Sequence, residues 1–456
     1  MINKLFKKRY FISTLQFLAL LVFVMLIYGS IGITTQDASF AKILRNTNLA
    51  NLIVWSYWWP MIIVSAIFFG RYWCTICPME LVTSFFAKLG LRRKAGKLLK
   101  SGWIITLFYA LILILGIHTL AIHRIPQLMA FYMLILFAVA VIVGLIWEKR
   151  TFCSHVCPIG HLLGLYSLLS FNKLTVKNQD VCDSCKTKDC ISSSNHYNFE
   201  GRSCTSNLYP PKIKDNRDCI LCGQCFKSCT KDNIIIKKRI FAADLLQPLK
   251  LQWSEIAFFM IVSSFVIYEI LSEWNVSKHL LMSVPHSINE QFAITGSAQG
   301  SIKALLLFIV LPSIFYFTFA FLKKILAKEE WSSSFTQLVL ALLPIAASMH
   351  FLKALLKTTS RIPYWKFVFS DPEGVATAHR IMEHSELLNN RFLQNIATPT
   401  LSIIAVLLPI IGLVISFIVI KKQTHKNSLS RYISRIAVII YAGLFIITLI
   451  EWRWLN

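Results

Sequence analysis

Negative charge is scarce in this chain. Asp and Glu number 22 of 456 residues against 47 Lys and Arg, and charged residues of both signs make up 15%. Soluble domains carry about 25%, so so thin a covering of charge excludes an ordinary soluble protein. Several motifs are missing as well. There is no P-loop and no Rossmann fingerprint, which excludes nucleotide binding through either. No C-x-x-C-H occurs, which excludes covalent c-type haem. No pair of acidic residues sits in the middle of an apolar run, so two-carboxylate catalysis has no footing deep inside a membrane. The formal charge of +25 is not accompanied by a basic, aromatic-interleaved domain, and nucleic acid is not an expected partner. Lys and Arg retained on the cytoplasmic side of a membrane account for it.

Long apolar runs are abundant. The sequence is 55% hydrophobic, with a mean hydropathy of +0.59. Windows at about 10–33, 51–70, 102–121, 128–147, 253–273, 301–322, 334–354, 398–420 and 434–453 are each roughly 20 residues, enough to cross a ~30 Å hydrocarbon core. About nine transmembrane helices are expected. With the N-terminus inside, the basic clusters Arg92-Arg93-Lys94, Lys323-Lys324 and Lys421-Lys422 all fall on the inner side, and an odd number of spans leaves the C-terminus outside. The apolar run after Arg9 is too long for a signal-peptide core and reads as a retained first helix. Three parts follow: a four-helix membrane unit at 1–171, an insert at 172–250, and a five-helix membrane unit at 251–456 with a long outer loop at about 357–398.

Twelve cysteines stand against this background. Cys219, Cys222, Cys225 and Cys229 form C-x2-C-x2-C-x3-C, the bacterial ferredoxin run. Cys182, Cys185, Cys190 and Cys204 precede it with looser spacing, and Thr230 replaces the usual proline. In two-cluster ferredoxins the fourth cysteine of each run serves the other cluster. By that rule Cys182, Cys185, Cys190 and Cys229 form one set, and Cys219, Cys222, Cys225 and Cys204 the other. Two [4Fe-4S] clusters are the expected cofactors, with zinc or structural thiols as the alternative. The expected fold class is an all-α polytopic membrane protein with a small inserted α+β two-cluster ferredoxin-like domain.

The remaining four cysteines lie at the inner ends of two spans, in Arg71-Tyr72-Trp73-Cys74-Thr75-Ile76-Cys77-Pro78 and Arg150-Thr151-Phe152-Cys153-Ser154-His155-Val156-Cys157-Pro158. The repeat of basic, aromatic, Cys and Cys-Pro predicts that two helical hairpins bring Cys74, Cys77, Cys153 and Cys157 together. Arg71 and Arg150 beside them would favour thiolates. A further iron–sulfur cluster, a redox dithiol and a plain proline-stopped helix end remain three open readings.

Twin Cys-Pro motifs after membrane helices, followed by a cytoplasmic two-cluster block, resemble the polyferredoxin-type membrane 4Fe-4S proteins. That family includes the membrane quinol-oxidising subunit of periplasmic nitrate reductase systems and the membrane regulator associated with nitrous oxide reductase. The resemblance covers about 1–250; Cys153 to Pro158 keeps the family's C-x3-C-P, and Cys74 to Pro78 is one residue shorter. It implies an inner-membrane electron-transfer protein working between a quinol or cytoplasmic donor and a periplasmic reductase system, in the manner of a quinol dehydrogenase subunit. A redox-sensing or maturation accessory is the alternative. Expected partners are the membrane, a quinone or quinol, and a redox protein such as a periplasmic reductase or its donor.

Seven histidines fall on the outer side of this topology: His118, His123, His279, His286, His350, His379 and His384. No i, i+4 pair lies within one span, so haem b is disfavoured; an ordinary interface histidine is the default for each, with a quinol contact as the alternative. Glu269 is the carboxylate placed to accept a proton inside a span. The 357–398 loop is too long for a tight connection, so it either folds as a cap or docks a partner.

Overall fold

The structure, a computed structural model, describes residues 2–204, 206–423 and 427–455. Hydrocarbon offers the backbone no hydrogen-bond partner, so apolar runs of this length satisfy their own N–H and C=O groups as helices. Eight helices among the described residues are long and apolar enough to cross a membrane: Phe11–Tyr28, Leu49–Phe69, Pro126–Ile146, Trp253–Leu271, Ser297–Leu326, Trp331–Val368, Leu393–Gln423 and Ser428–Leu455. A further apolar helix, Trp103–Thr119, is shorter. The fold is thus a polytopic, all-α membrane protein with a small β-hairpin insertion.

The chain divides into two compact units. The first comprises 1–28, 64–108 and 131–244, and the second 29–63, 109–130 and 245–456. All twelve cysteines belong to the first unit, whereas the seven histidines named above belong to the second.

In the first unit, β1 (Asn172–Val176) pairs antiparallel with β2 (Ile234–Lys238), with Leu174 opposite Ile236. The period-2 alternation turns Leu174, Ile234 and Ile236 inward, where they join Leu221, Cys225, Phe226, Phe6 and Ile12 in one buried cluster. The N-terminal segment therefore helps to build the insert. Asn3 completes the docking: its Oδ1 accepts from the Ile236 N–H at 2.9 Å. Gly223 stands under this contact with φ +71°, and a Cβ there would lie 2.4 Å from Phe6 and 2.6 Å from Ile12. Only glycine meets both demands.

In the second unit the 357–398 segment is folded. The helix Val375–Glu383 lies against the short helix Ala38–Thr47, with Phe40, Leu44 and Ala378 buried between them. Beside it Leu52, Tyr364, Val368 and Ile381 form a second small core. Asp371 organises the turn, accepting from Gly374 N at 3.1 Å and from Thr377 N and Oγ1 at 2.8 Å each. Asn48 Nδ2 donates to the carbonyls of Gly29 at 3.1 Å and Glu373 at 3.2 Å. These bonds satisfy backbone groups that an irregular segment would otherwise leave bare.

Candidate functional site

Both Cys-Pro turns follow the end of a span, where proline stops one helix and opens the next. The short helix Tyr72–Ile76 ends at Cys77, whose extended backbone lets Pro78 occupy the first turn of Pro78–Leu89. The second turn is a π-helical segment, Phe152–Val156, ending at Cys157. Burial is the first influence on three of the thiols and raises their pKa values. Cys77 and Cys153 are pushed far up, and Cys157 to about 11, with neighbouring cysteine sulfurs adding to each. Cys77 responds to Cys74 and Cys157, Cys153 to Cys77 and Cys157, and Cys157 to Cys74, so the two motifs sit within electrostatic reach of one another. Arg150 at Cys153 and Arg71 at Cys157 do favour the thiolate, as expected, but burial outweighs them and the net shift is upward.

The arginines serve the surrounding structure. Arg71 is 6% exposed and donates from Nη1 to the Arg217 carbonyl at 2.7 Å. Thr75 Oγ1 donates to the Leu221 carbonyl at 2.8 Å. Those two bonds pin the ferredoxin-like run onto the first Cys-Pro turn. Arg150, 1% exposed, pairs with Glu80, and against burial the nearby Cys222 and Glu80 favour its charged form.

Glu80 is itself 1% exposed. It pairs with Arg150 and, at 2.7 Å, with Arg202, and it accepts from Ser84 Oγ at 2.8 Å and from Gln16 Nε2. Burial pushes its carboxyl up, but the two guanidinium groups win and the pKa ends below its ordinary value. Sequence reading passed over Glu80 and Arg202. An acidic residue in the first turn after Pro78 is a visible helix-start signal; Arg202, 122 positions away, carries none.

The insert cysteines line two cavities. Cys182, Cys185, Cys190 and Cys229 line one, together with Tyr209 and Asn233. Cys204, Cys219, Cys222 and Cys225 line the other, with Leu174 and Ile213. Burial raises Cys190 to about 11 and Cys219 to about 12. Cys185 moves the other way, lowered first by the Lys188 N–H and then by Thr187.

The expected cofactor inventory, two [4Fe-4S] clusters with a further cluster at the Cys-Pro motifs, is corrected. Among the described residues, no group of three or more His, Cys, Asp or Glu side chains comes close enough together to hold a metal ion. The thiols are spread around cavity walls, and several accept from protein donors instead. Asn233 Nδ2 reaches Cys182 at 3.0 Å, Leu208 N reaches Cys204 at 3.3 Å, and Asn233 N reaches Cys229 at 3.4 Å. As they stand, these donor sets do not fit such a group.

The histidines are dispersed across the second unit. His279 and His286 are exposed on the helix Asn275–Gln291. His379 lies against Phe40 with ring centroids 4.6 Å apart, and His384 meets Glu386 at 3.1 Å. His118, His123 and His350 each stand within electrostatic reach of Glu269. That carboxylate is paired with Lys353 at 3.3 Å.

Residues 51–97 and 129–177 match the family model of the 4Fe-4S binding domain. Each stretch takes in one Cys-Pro turn. The methylamine utilization ferredoxin-type protein MauN of Paracoccus denitrificans is 40% identical over 38 residues, 8% of this chain and 13% of that protein. The ferredoxin-type protein NapH of Haemophilus influenzae is 30% identical over 93 residues, 19% of this chain and 30% of that protein. The chain thus covers less than a third of the length of these curated relatives. No solved structure matches it. The chain carries a ferredoxin-type, iron–sulfur pattern on membrane helices, similar to NapH- and MauN-like membrane redox proteins. The match describes the pattern of these segments, not an assembled ligand sphere.

Proposed function

We propose that this chain is an electron-transfer protein of the bacterial inner (cytoplasmic) membrane. It passes electrons between a quinol or cytoplasmic donor and a periplasmic reductase system. The observation that carries this reading is the gathering of all twelve cysteines, in three sets, within one compact unit that also holds membrane helices. The ferredoxin-type relatives support the same class.

In this reading Trp103–Thr119 is a ninth span, the N-terminus and the 172–250 insert face the cytoplasm, and the C-terminus lies outside. The working parts are the membrane unit 1–171, the insert, and the membrane unit 251–456. The redox chemistry depends on Cys182, Cys185, Cys190 and Cys229, on Cys204, Cys219, Cys222 and Cys225, and on Cys74, Cys77, Cys153 and Cys157. Arg71, Arg150 and Arg202 supply buried positive charge, which favours arrival of an electron in a low-dielectric setting.

The test is optical. Anaerobically purified protein should oxidise a short-chain quinol in the presence of an artificial electron acceptor, followed as the change in ultraviolet absorbance of the quinol itself. Cys222→Ser should diminish that change while leaving the protein folded. Protein that oxidises no quinol and accepts electrons from no low-potential donor sinks the electron-transfer reading and favours the redox-sensing alternative.

A further inference from the structure

The second unit contains a concentration of positive charge that the redox reading does not use. Arg45 closes the short helix Ala38–Thr47, Arg124 precedes the helix Pro126–Ile146, and Lys353, Lys357 and Arg361 lie on or just beyond the helix Trp331–Ser360. Lys303 joins them from Ser297–Leu305, acting on His118. Arg45 feels Arg361 and Arg124 directly, and burial together with those two like charges lowers its guanidinium pKa to about 10. Three guanidinium groups are thus held near one another.

Few carboxylates compensate. Glu269 and Glu273 both engage Lys353, and Lys353 Nζ also donates to the Glu269 carbonyl at 2.9 Å. Counting these side chains, six cations face two carboxylates, a surplus of four positive charges. Like-charge crowding in a partly desolvated setting is costly unless something offsets it.

The hydrogen-bond pattern points the same way. Arg124 Nε donates to His123 Nε2 at 3.2 Å, so in the neutral ring the proton sits on Nδ1. Burial, followed by Arg45, Lys357 and Arg124, holds His123 well below its ordinary pKa and keeps it neutral. Its Nδ1 is buried and has no partner among the described residues. Arg45 Nε and Arg361 Nε are in the same condition. Asn51 ties the backbone of this region together, donating to the carbonyls of Arg45 at 3.3 Å and His123 at 3.5 Å. Buried donors without acceptors are rare, and each calls for an acceptor such as water or an ion.

We propose that Arg45, Arg124, Arg361 and His123 form a binding site for a phosphate-class oxyanion. Such an anion has several oxygens to accept from planar guanidinium groups, and its charge offsets the surplus. Arg45 and Arg124 lie just before membrane-length helices, and Arg361 lies next to the last turn of Trp331–Ser360. That is the level of lipid headgroups, where the phosphate could belong to an anionic phospholipid or to a free ion. Glu269, paired with Lys353, is the carboxylate within electrostatic reach of Arg45 and His123.

The test measures thermal unfolding of the full-length, delipidated protein in a neutral detergent. One arm adds phosphatidylglycerol, a second inorganic phosphate, and a third phosphatidylcholine as the uncharged control. Wild-type protein should be stabilised in the first or second arm and not in the third; which arm responds identifies the source. In Arg45→Gln and Arg361→Gln the apparent affinity should fall roughly 10- to 100-fold, the loss of one charge-assisted hydrogen bond. Arg391→Gln, an exposed basic position, should behave as wild type. Without added anion, Arg45→Gln should be at least as stable as wild type, because a repulsion has been removed. A wild-type protein indifferent to both anions overturns the site. So does an Arg45→Gln variant that is destabilised equally with and without anion.

Discussion

The two units handle buried charge in opposite ways. In the first, the buried carboxylate Glu80 is shared by Arg150 and Arg202, beside thiols whose pKa values burial raises. Opposite charges close on each other, and the arrangement locks together segments 122 residues apart. In the second, Arg45, Arg124, Arg361, Lys303, Lys353 and Lys357 face only Glu269 and Glu273, and the surplus of positive charge is large. The difference teaches that burial alone does not distinguish a structural cluster from a binding one; the size of the uncompensated charge does. A carboxylate shared by its arginines gives rigidity, and a large surplus gives affinity.

The sharpest way to break the comparison is to open the closed cluster. Glu80→Gln strands two buried guanidinium groups and should cost about 3–5 kcal/mol, read as a lower midpoint in thermal or denaturant unfolding. A loss below ~1 kcal/mol would mean that water reaches the arginines, and the contrast between units would fail. Next in size is Gly223→Ala. A methyl group forced against Phe6 and Ile12 from a left-handed backbone should cost about 1–3 kcal/mol. Faster protease cleavage of the insert in that variant, with the membrane helices intact, would confirm that the cost is local.

The smallest effect lies in the folded 357–398 segment. Burial opposes ionisation of Asp371, but the Thr377 and Gly374 donors prevail and its pKa is lowered from 3.8. Since the folded value is depressed, the stabilisation is present above pH 3.8 and is lost as pH falls through the folded value. Asp371→Asn should loosen this segment by about 1 kcal/mol at neutral pH and remove that acid dependence. Limited proteolysis between pH 3 and pH 7 would detect both changes; an unaltered pH profile in the variant would assign the acid response elsewhere.

Short-range chemistry was readable in the sequence. Apolar runs announced the membrane helices because hydrocarbon leaves a backbone few choices. The helix Trp103–Thr119 illustrates the remaining ambiguity, since apolar composition fixes a helix more firmly than its length. The cysteine spacings marked the thiol-bearing loops, and the structure adds which of those thiols share a cavity. Long-range pairing was not readable. Glu80 with Arg202, Phe6 with Gly223, and Ala38–Thr47 with Val375–Glu383 are joined across scores to hundreds of residues, and no local pattern encodes the partner. The assembled metal inventory was over-read for a related reason: spacing specifies which thiols lie on one loop, not whether their sulfurs converge.

The docking of Asn3 on Ile236 spans 233 residues of chain. During synthesis the N-terminal segment therefore emerges long before the strand that will receive it. Phe11–Tyr28 and the next apolar helices enter the bilayer first, and the waiting apolar side chain of Phe6 stays unburied until the second strand appears. A bulky fusion at the N-terminus would obstruct that late closure, whereas a C-terminal fusion would leave it alone.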